Sequence, residues 1–310
     1  MLHLDLSKIN ELQNQINHFD QNHTYSALTY YSWSFYGLDV SYQLVDDKGI
    51  ILDGKVDLKI NFLHNILKDK FSPTQKVIIA PITKSDDQNS FLELISNQIN
   101  HLKKDECVFI DDLTTKQLEW LKTKYQFEVV HETTSNYFYE TKKLIDFAGK
   151  ALQKKRNHLN YFLKNYANNA QIKINDQVDY DQLTEFFTSW IKQQNQTINY
   201  QPELDFYYAI LDWIKQKKLN LTVLYYQEKI IGFSVSYSIN NRCEIFIEHC
   251  DETYRGAYQY LLSNSLKIHH QNNELTDRQD DLASENISFS KSSYKPLYTI
   301  SRYLIKLCSN

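Results

Sequence analysis

The stretch LTVLYYQEKIIGFSVSYSINNRCEIFIEH, residues 221–249, decides how the second half of the chain is read. Three β-rich runs are separated by the polar pairs Gln227-Glu228 and Asn240-Asn241, the pattern of an antiparallel meander with tight turns. A helical run from about Gly256 to His270 follows at once. On the middle strand Phe233, Val235, Tyr237 and Ile239 share one face and Ser234, Ser236 and Ser238 the other, so the serine face leaves room for a ligand lying along the sheet. On the next strand Glu244, Phe246 and Glu248 are expected on one face, which makes Glu248 either a general base in a cleft or the partner of a cation. Glu248, His249 and Cys250 point alternately to opposite faces, so no metal site is expected.

Working outward, YFYE (137–140) and QIKIN (171–175) read as strands, and helices are expected at about 150–166, 180–194 and 203–217. Nearer the N-terminus, Ile9, Leu12, Ile16 and Phe19 recur at helical intervals behind a Ser7 cap. A hairpin, VSYQLVDDKGIILDGKV (40–56), turns at Asp46, Asp47, Lys48 and Gly49. KVIIAPI, a helix at about 88–102, CVFI, a helix at about 114–123 and FEVVHE then alternate. This is an α/β pattern with mixed sheets. A length of 310 residues exceeds one comfortable core, so two domains are expected, 1–138 and 139–310, with the boundary near 135–145.

A net charge of -4 excludes a general polycation that coats nucleic acid or an anionic bilayer, so any phosphate contact has to be a local patch. The longest apolar stretches, such as VIIAPI at 77–82, fall far short of the ~20 residues of a membrane helix. MLHLDLSKIN has no basic segment followed by an apolar run, and a soluble, cytoplasmic protein without an integral membrane segment is expected. Cys107, Cys243, Cys250 and Cys308 form no CxxC pair and read as structural thiols of a reducing compartment.

Against that acidic background, GKALQKKRNHLNYF (149–162) is unusual. With Leu152 as origin at 100° per residue, Leu159, Leu163 and Tyr166 fall within about 40° and define a buried face, while Lys150, Lys154, Asn157 and Tyr161 lie opposite. Lys155 and Arg156 flank the buried arc, where a cation has to snorkel, pair with a carboxylate or line a cavity that admits an anion. A structural ion pair and a phosphate or carboxylate clamp both remain open for these two.

DETYRGAYQYLLSNSL (251–266) starts a helix at Gly256 just after a strand, which offers free amides to an anion or forms a plain strand-to-helix turn. TDRQDDLASENISFSKSSYKP (276–296) carries Arg278, Asp280, Asp281, Lys291 and Tyr294 through a strand end, loop, helix and Pro-terminated loop. His158 and the His269-His270 pair are expected at the surface or at a dipole-favoured helix end.

Taken in this order, YFYETKKLIDFAGKALQKKRNHLNYF, IEHCDETYRGAYQYL, DRQDDL and KSSYKP resemble the C-terminal catalytic region of phosphatidylglycerol lysyltransferases and related soluble DUF2156 proteins. The resemblance implies two tandem GNAT-like acyltransferase domains and an aminoacyl-tRNA or acyl-CoA donor. It assigns Lys150, Lys154, Lys155, Arg156 and Asn157 to a basic donor motif, Glu248 and Gly256 to the strand-to-helix junction, and Arg278, Asp281, Lys291 and Tyr294 to the last motif; with the basic motif, Arg255, Gly256, Tyr258, Arg278 and Tyr294 are the substrate- or donor-binding candidates. Glu248, Asp281 and Lys291 are then the catalytic candidates, and tRNA and a small-molecule acceptor the partners. The chain departs from the family where NREQDLG and a Gly-Leu-Arg helix are usual: Asp277, Gln279, Asp280, Ala283, Asn286 and Ser288 stand there, and His249 follows Glu248 in place of Lys. These departures imply a changed substrate or a decayed site. Lysyltransferases that modify lipid carry a membrane region in front, absent from this sequence, which counts against lipid as acceptor. The expected function is acyl or aminoacyl transfer to an amine or hydroxyl, with a catalytically degenerate ligand- or tRNA-binding module of the same fold as the alternative.

Overall fold

The computed structural model describes residues 1–57, 76–194, 199–281 and 284–309. Leu282 and Ala283, named above in the last motif, lie outside the described residues. Two units divide the chain: Met1–Thr134 together with Ile300–Asn310, and Ser135–Thr299. Against the expected 1–138 and 139–310, the last strand belongs with the N-terminal unit.

In the N-terminal unit the elements are β1 (Leu2–His3), α1 (Ile9–Phe19), α2 (Ala27–Ser32), β2 (Leu38–Val45), β3 (Gly49–Val56), β4 (Lys76–Ile82), α3 (Gln88–Ile99), β5 (Cys107–Leu113) and α4 (Thr115–Lys122). The returning β12 (Tyr298–Cys308) pairs antiparallel with β5, giving the order β1-β2-β3-β4-β5-β12, in which only β4 and β5 run parallel. Thr114 and Gln117 close the start of α4 as a capping box. The expected Ser7 cap is replaced by Asp5, whose carboxylate accepts from Ser7 N at 2.8 Å and starts a short 3-10 turn ahead of α1. Phe91, Ile95, Ile110, Leu118, Leu121 and Ile305 form one core.

The register of β12 corrects one expectation. Cys308 lies directly opposite Cys107, and the two form a disulfide with a Cα separation of 4.0 Å. They are 201 residues apart in sequence, so no local spacing announces the pair, and the cysteines no longer point to a reducing compartment. Cys243 and Cys250 are buried free thiols.

The second unit begins inside β6 (Glu128–Glu140), a single strand where two short ones were expected. After it come α5 (Thr141–Asp146), a 3-10 turn at Lys150–Leu152, α6 (Gln153–Asn165), β7 (Ala170–Ile174), α7 (Tyr180–Gln193), α8 (Gln201–Lys215), β8 (Asn220–Tyr226), β9 (Lys229–Ile239), β10 (Arg242–Cys250), α9 (Ala257–His269), β11 (Leu275–Asp277) and α10 (Glu285–Ser292). Its strand order is β6-β11-β10-β9-β8-β7, with only β10 and β11 parallel. The meander has the expected two-residue turns: Gln227 and Glu228 take φ of 47° and 66°, and Asn240 takes 51°. In each unit three antiparallel strands, a helix and a parallel strand follow one another, and the fold is GNAT-like.

One face of the second sheet meets α7 and α8 through Phe187, Tyr207 and Phe233; the other meets α6 and α9 through Phe162, Cys250, Ala257 and Leu261. Phe162, Phe187 and Phe233 are fully buried, and each such side chain contributes about 1.5–3 kcal/mol of hydrophobic stabilisation.

Candidate active site in the second unit

A bulge sets up the site. The β9–β10 register shifts between Ile245 and Ile247, so alternation is interrupted at Phe246. Before it, Cys243 and Ile245 pack with Leu262 and Leu266 of α9; after it, Cys250 packs with Ala257 and Leu261 of the same helix. Phe246 faces Phe206 of α8, whereas Glu248 reaches Arg278 and the Tyr294 neighbourhood. Glu248 therefore does not share a face with Phe246, as strict alternation predicts.

Arg278 follows β11 at the point where the parallel register with β10 ends. Its Nη2 donates to Glu248 Oε1 at 2.5 Å, and both side chains are nearly buried, 11% and 6% exposed. Burial works against the Arg278 charge, but Glu248 and Tyr294 more than offset it and raise its pKa. Glu248 Oε2 and Arg278 Nη1 are buried with no partner among the described residues. Ser234, opposite Glu248 on β9, and Thr222, opposite Ser234 on β8, are fully buried too, and their hydroxyls are equally unpartnered. Buried polar atoms of this kind call for water or a ligand.

Over this pair stands Tyr294, whose hydroxyl accepts from Gln259 Nε2 at 2.6 Å. Two cations lie over its ring: Arg278 Cζ at 4.6 Å from the centroid and Lys155 Nζ at 3.7 Å. Burial first, and then the charges of Arg278 and Lys154, bring the Lys155 amine down to about 8, with Glu248 opposing. Lys155 is thus a half-buried cation beside the ion pair. Phe162 is fully buried and Leu163 is 45% exposed, so the inward face of α6 is centred near Lys155 and Phe162, displaced from the face expected around Leu152 and Leu163.

The loop after Arg278 is tied down. Lys291 Nζ donates to the carbonyls of Arg278 at 2.5 Å, Gln279 at 3.3 Å, and Asp280. Burial brings its amine down to about 8. Asp281 accepts from the Tyr137 hydroxyl at 2.7 Å, and Tyr139 donates to Lys291 O at 2.9 Å. Tyr137, Tyr139 and Gln259 thus hold the site's residues in place; none was singled out from sequence, although the first two lie in YFYE and the last beside Tyr258.

Not all candidates converge. Arg156 turns to its own loop, where Nη1 donates to Phe147 O at 2.5 Å and Gly149 O at 3.1 Å, which is neither an ion pair nor an open clamp. Lys150, Lys154 and Asn157 are exposed. Arg255 is exposed and stacks over the Tyr161 ring at 4.7 Å. Gly256 has φ 92° and no side-chain cap at the start of α9, and a Cβ there would sit 2.2 Å from His158 O. Its role includes this close helix approach. Tyr258 is packed beside Cys250, and burial raises its hydroxyl well above the usual range. The expected serine lane is largely covered: His270, 1% exposed, hydrogen-bonds Ser236 at 2.7 Å and Ser238 at 2.9 Å. This also corrects its reading as a surface residue, and burial brings its ring down to about 4. Of the lane, Ser234 remains.

No helix among the described residues is long and apolar enough to cross a membrane. An uncharacterized protein of Mycoplasmoides gallisepticum is 57% identical over 304 residues, 98% of each chain. A conserved protein of unknown function from Bacteroides thetaiotaomicron has a similar structure, with TM-score 0.74, 20% identity and coverage of 98% of this chain and 97% of that one. A DUF2156 C-terminal domain from Agrobacterium fabrum is similar with TM-score 0.60 and 11% identity, over 97% of this chain and 92% of that one. Residues 74–306 match the family described as phosphatidylglycerol lysyltransferase, C-terminal, and the chain belongs to that family.

Proposed function

We propose that the second unit transfers an aminoacyl group from an aminoacyl-tRNA ester to an amine or hydroxyl of a small-molecule acceptor, in the cytoplasm. The observation that carries this is the half-satisfied Glu248–Arg278 pair, with one carboxylate oxygen and one guanidinium nitrogen left over in a buried setting. A simple acyl chain offers nothing to Glu248 Oε2. An aminoacyl group offers its α-ammonium, a charge-assisted partner for that oxygen.

The chemistry needs no covalent enzyme intermediate. The acceptor nitrogen or oxygen attacks the ester carbonyl, forming the new bond; the tetrahedral intermediate collapses and the ribose hydroxyl leaves with a proton. Arg278 Nη1 and Lys155 supply positive charge for the developing oxyanion. Lys155, with an amine near 8, has a neutral fraction at working pH that can take the acceptor's proton and become the cation beside the oxyanion, while Glu248 Oε2 stays on the α-ammonium. Lys291 and Asp281 act by positioning the loop that carries Arg278.

The test compares charged tRNA, uncharged tRNA and acetyl-CoA for binding to the parent protein and to Glu248→Gln. Tighter binding of charged than uncharged tRNA, with the difference erased in the variant, is the expected result. Equal binding of the two tRNA forms, or binding of acetyl-CoA alone, defeats the reading.

A further inference from the structure

The disulfide between Cys107 and Cys308 sits where thiol chemistry can reach it. It joins the first residue of β5 to the last of β12, and Cys308 is exposed while Cys107 is half-buried. Cys308 also lines a cleft of about 500 Å³ at the ends of α3 and α4, with Leu102 and Leu307 on its apolar side. The other two cysteines take no part. Cys243 and Cys250 are buried, and burial pushes both thiols well above the usual range, so neither offers a thiolate for exchange.

The bond is a clasp on the strand that returns to the N-terminal unit. Beyond it, β12 and β5 are tied only by Ser309 N donating to Glu106 O at 2.9 Å and Asp105 N donating to Ser309 O at 3.1 Å. A cross-link between residues 201 apart strongly restricts the unfolded chain, so opening it costs more stability than losing those two bonds. The cleft beside it presents two cations and no carboxylate among its lining residues. Lys124 donates to Ser96 Oγ at 2.7 Å and pairs with no carboxylate among the described residues; Lys122 is held by Glu119 in an exposed pair that another anion can replace. A cleft of this size accepts a molecule of peptide dimensions. In the cytoplasm, where thiols keep most cysteines reduced, a disulfide that does form is usually transient or redox-sensing.

We propose that Cys308 is a thiolation site: a low-molecular-weight thiol that carries carboxylates and has about the size of a tripeptide enters the cleft and exchanges with the disulfide, freeing the end of β12. The incoming thiolate attacks Cys308 Sγ, the bond to Cys107 breaks, and the electron pair leaves on Cys107 Sγ, which takes up a proton. A mixed disulfide remains on Cys308. Attack by the Cys107 thiolate on that mixed disulfide expels the thiol and closes the clasp again, so no further oxidant or reductant enters the cycle. The stability of the N-terminal unit thus follows the thiol pool, independently of the transfer proposed for the second unit.

The test incubates the oxidised full chain with glutathione, which is anionic, with neutral β-mercaptoethanol and with cationic cysteamine, quenches with acid, and reads adducts by intact mass and peptide mapping. Rates are normalised to those of the same thiols on hydroxyethyl disulfide, which removes their intrinsic differences in reactivity. The expected product carries one glutathione, on Cys308. Glutathione should outpace cysteamine by about threefold to tenfold at low salt, and Lys122→Ala/Lys124→Ala should abolish that preference while leaving the β-mercaptoethanol rate unchanged. The adduct should melt about 5 °C or more below the parent, as should Cys107→Ser/Cys308→Ser, while the lysine variant melts with the parent. An adduct on Cys107, equal normalised rates for the three thiols, or a parent-like melting curve for the adduct overturns the proposal. So does a chain in which all four cysteines remain free thiols after air oxidation.

Discussion

Each unit places a helix after the third strand of its antiparallel run, and the two helices start in opposite ways. In the N-terminal unit Asp87 caps α3, its carboxylate accepting from Ser90 N at 2.9 Å, which holds that carboxyl below its usual range. In the second unit α9 starts at Gly256 with no side chain over its first amides. The neighbouring parallel strand pairs differ in the same sense. Beyond the β4–β5 register, Asp112 lies 3.3 Å from Arg302, and Arg302 Nη1 also donates to Asp112 O at 3.1 Å. Burial foremost pushes the Asp112 carboxyl up to about 7. Beyond the β10–β11 register, the Glu248–Arg278 pair keeps a free atom on each side. One scaffold thus comes in two versions: in the first a carboxylate of the chain caps the helix start and only the Arg302 Nε of the buried pair is left without a hydrogen-bond partner, while in the second the helix start is uncapped and both members of the pair, Glu248 Oε2 and Arg278 Nη1, are unmet next to an inward lysine.

The largest effect that tests this contrast is expected for Arg278→Ala. It leaves Glu248 buried without its cation, and about 3–5 kcal/mol of stability should be lost in urea unfolding. A double Glu248→Leu/Arg278→Met change should recover most of it while abolishing ligand discrimination; a parent-like Arg278→Ala midpoint would show that the pair is not a buried one.

Gly256→Ala comes next. It forces a Cβ onto the His158 carbonyl at φ 92°, and a loss of about 2–4 kcal/mol is expected from strain and overcrowding together. Gly149→Ala is a contrasting case: nothing lies within 4 Å of the added Cβ, but φ 87° and ψ 166° form a conformation almost confined to glycine, so about 1–3 kcal/mol is expected from backbone strain alone. A loss at Gly256 of only about 1 kcal/mol, the cost of the left-handed conformation alone, would mean that helix contact does not select this glycine.

Asp87→Ala should cost about 1 kcal/mol in thermal or urea unfolding, the usual value of an N-cap, and should leave ligand binding unchanged. The smallest effect concerns pH. The Lys155 amine is lowered to about 8, so its ammonium is present at pH 7 and lost as pH rises through that value. Affinity for sulfate, whose charge is constant over this range, should decline a few-fold between pH 7 and 9 in the parent and stay flat in Lys155→Met.

The meander of residues 221–249 was legible because alternation and two-residue turns are local properties. So was the helix starting at Gly256. What sequence could not give depends on register. One bulge at Phe246 moves Glu248 to the α9 face, and no residue type there forces a bulge. The face of α6 was misjudged for a definable reason: Leu152 belongs to a 3-10 turn, whose angular step differs from 100°, so it is a poor origin for the helix that follows. Taken from Phe162 inward, the same count puts Lys155 within about 20° of the buried centre. Cys107 and Cys308 read as structural thiols in the sequence, because only the pairing of β5 with β12 brings them together.

That returning strand bears on how the protein is made. Residues 135–299 are contiguous, so the second unit has all its parts once they leave the ribosome. The N-terminal unit, synthesised first, lacks β12 until residues 300–308 emerge. Domains usually mature in the order of translation, and between these two units the order is inverted: the unit that starts first is completed after the other, once Ile305 joins its core and Cys308 reaches Cys107.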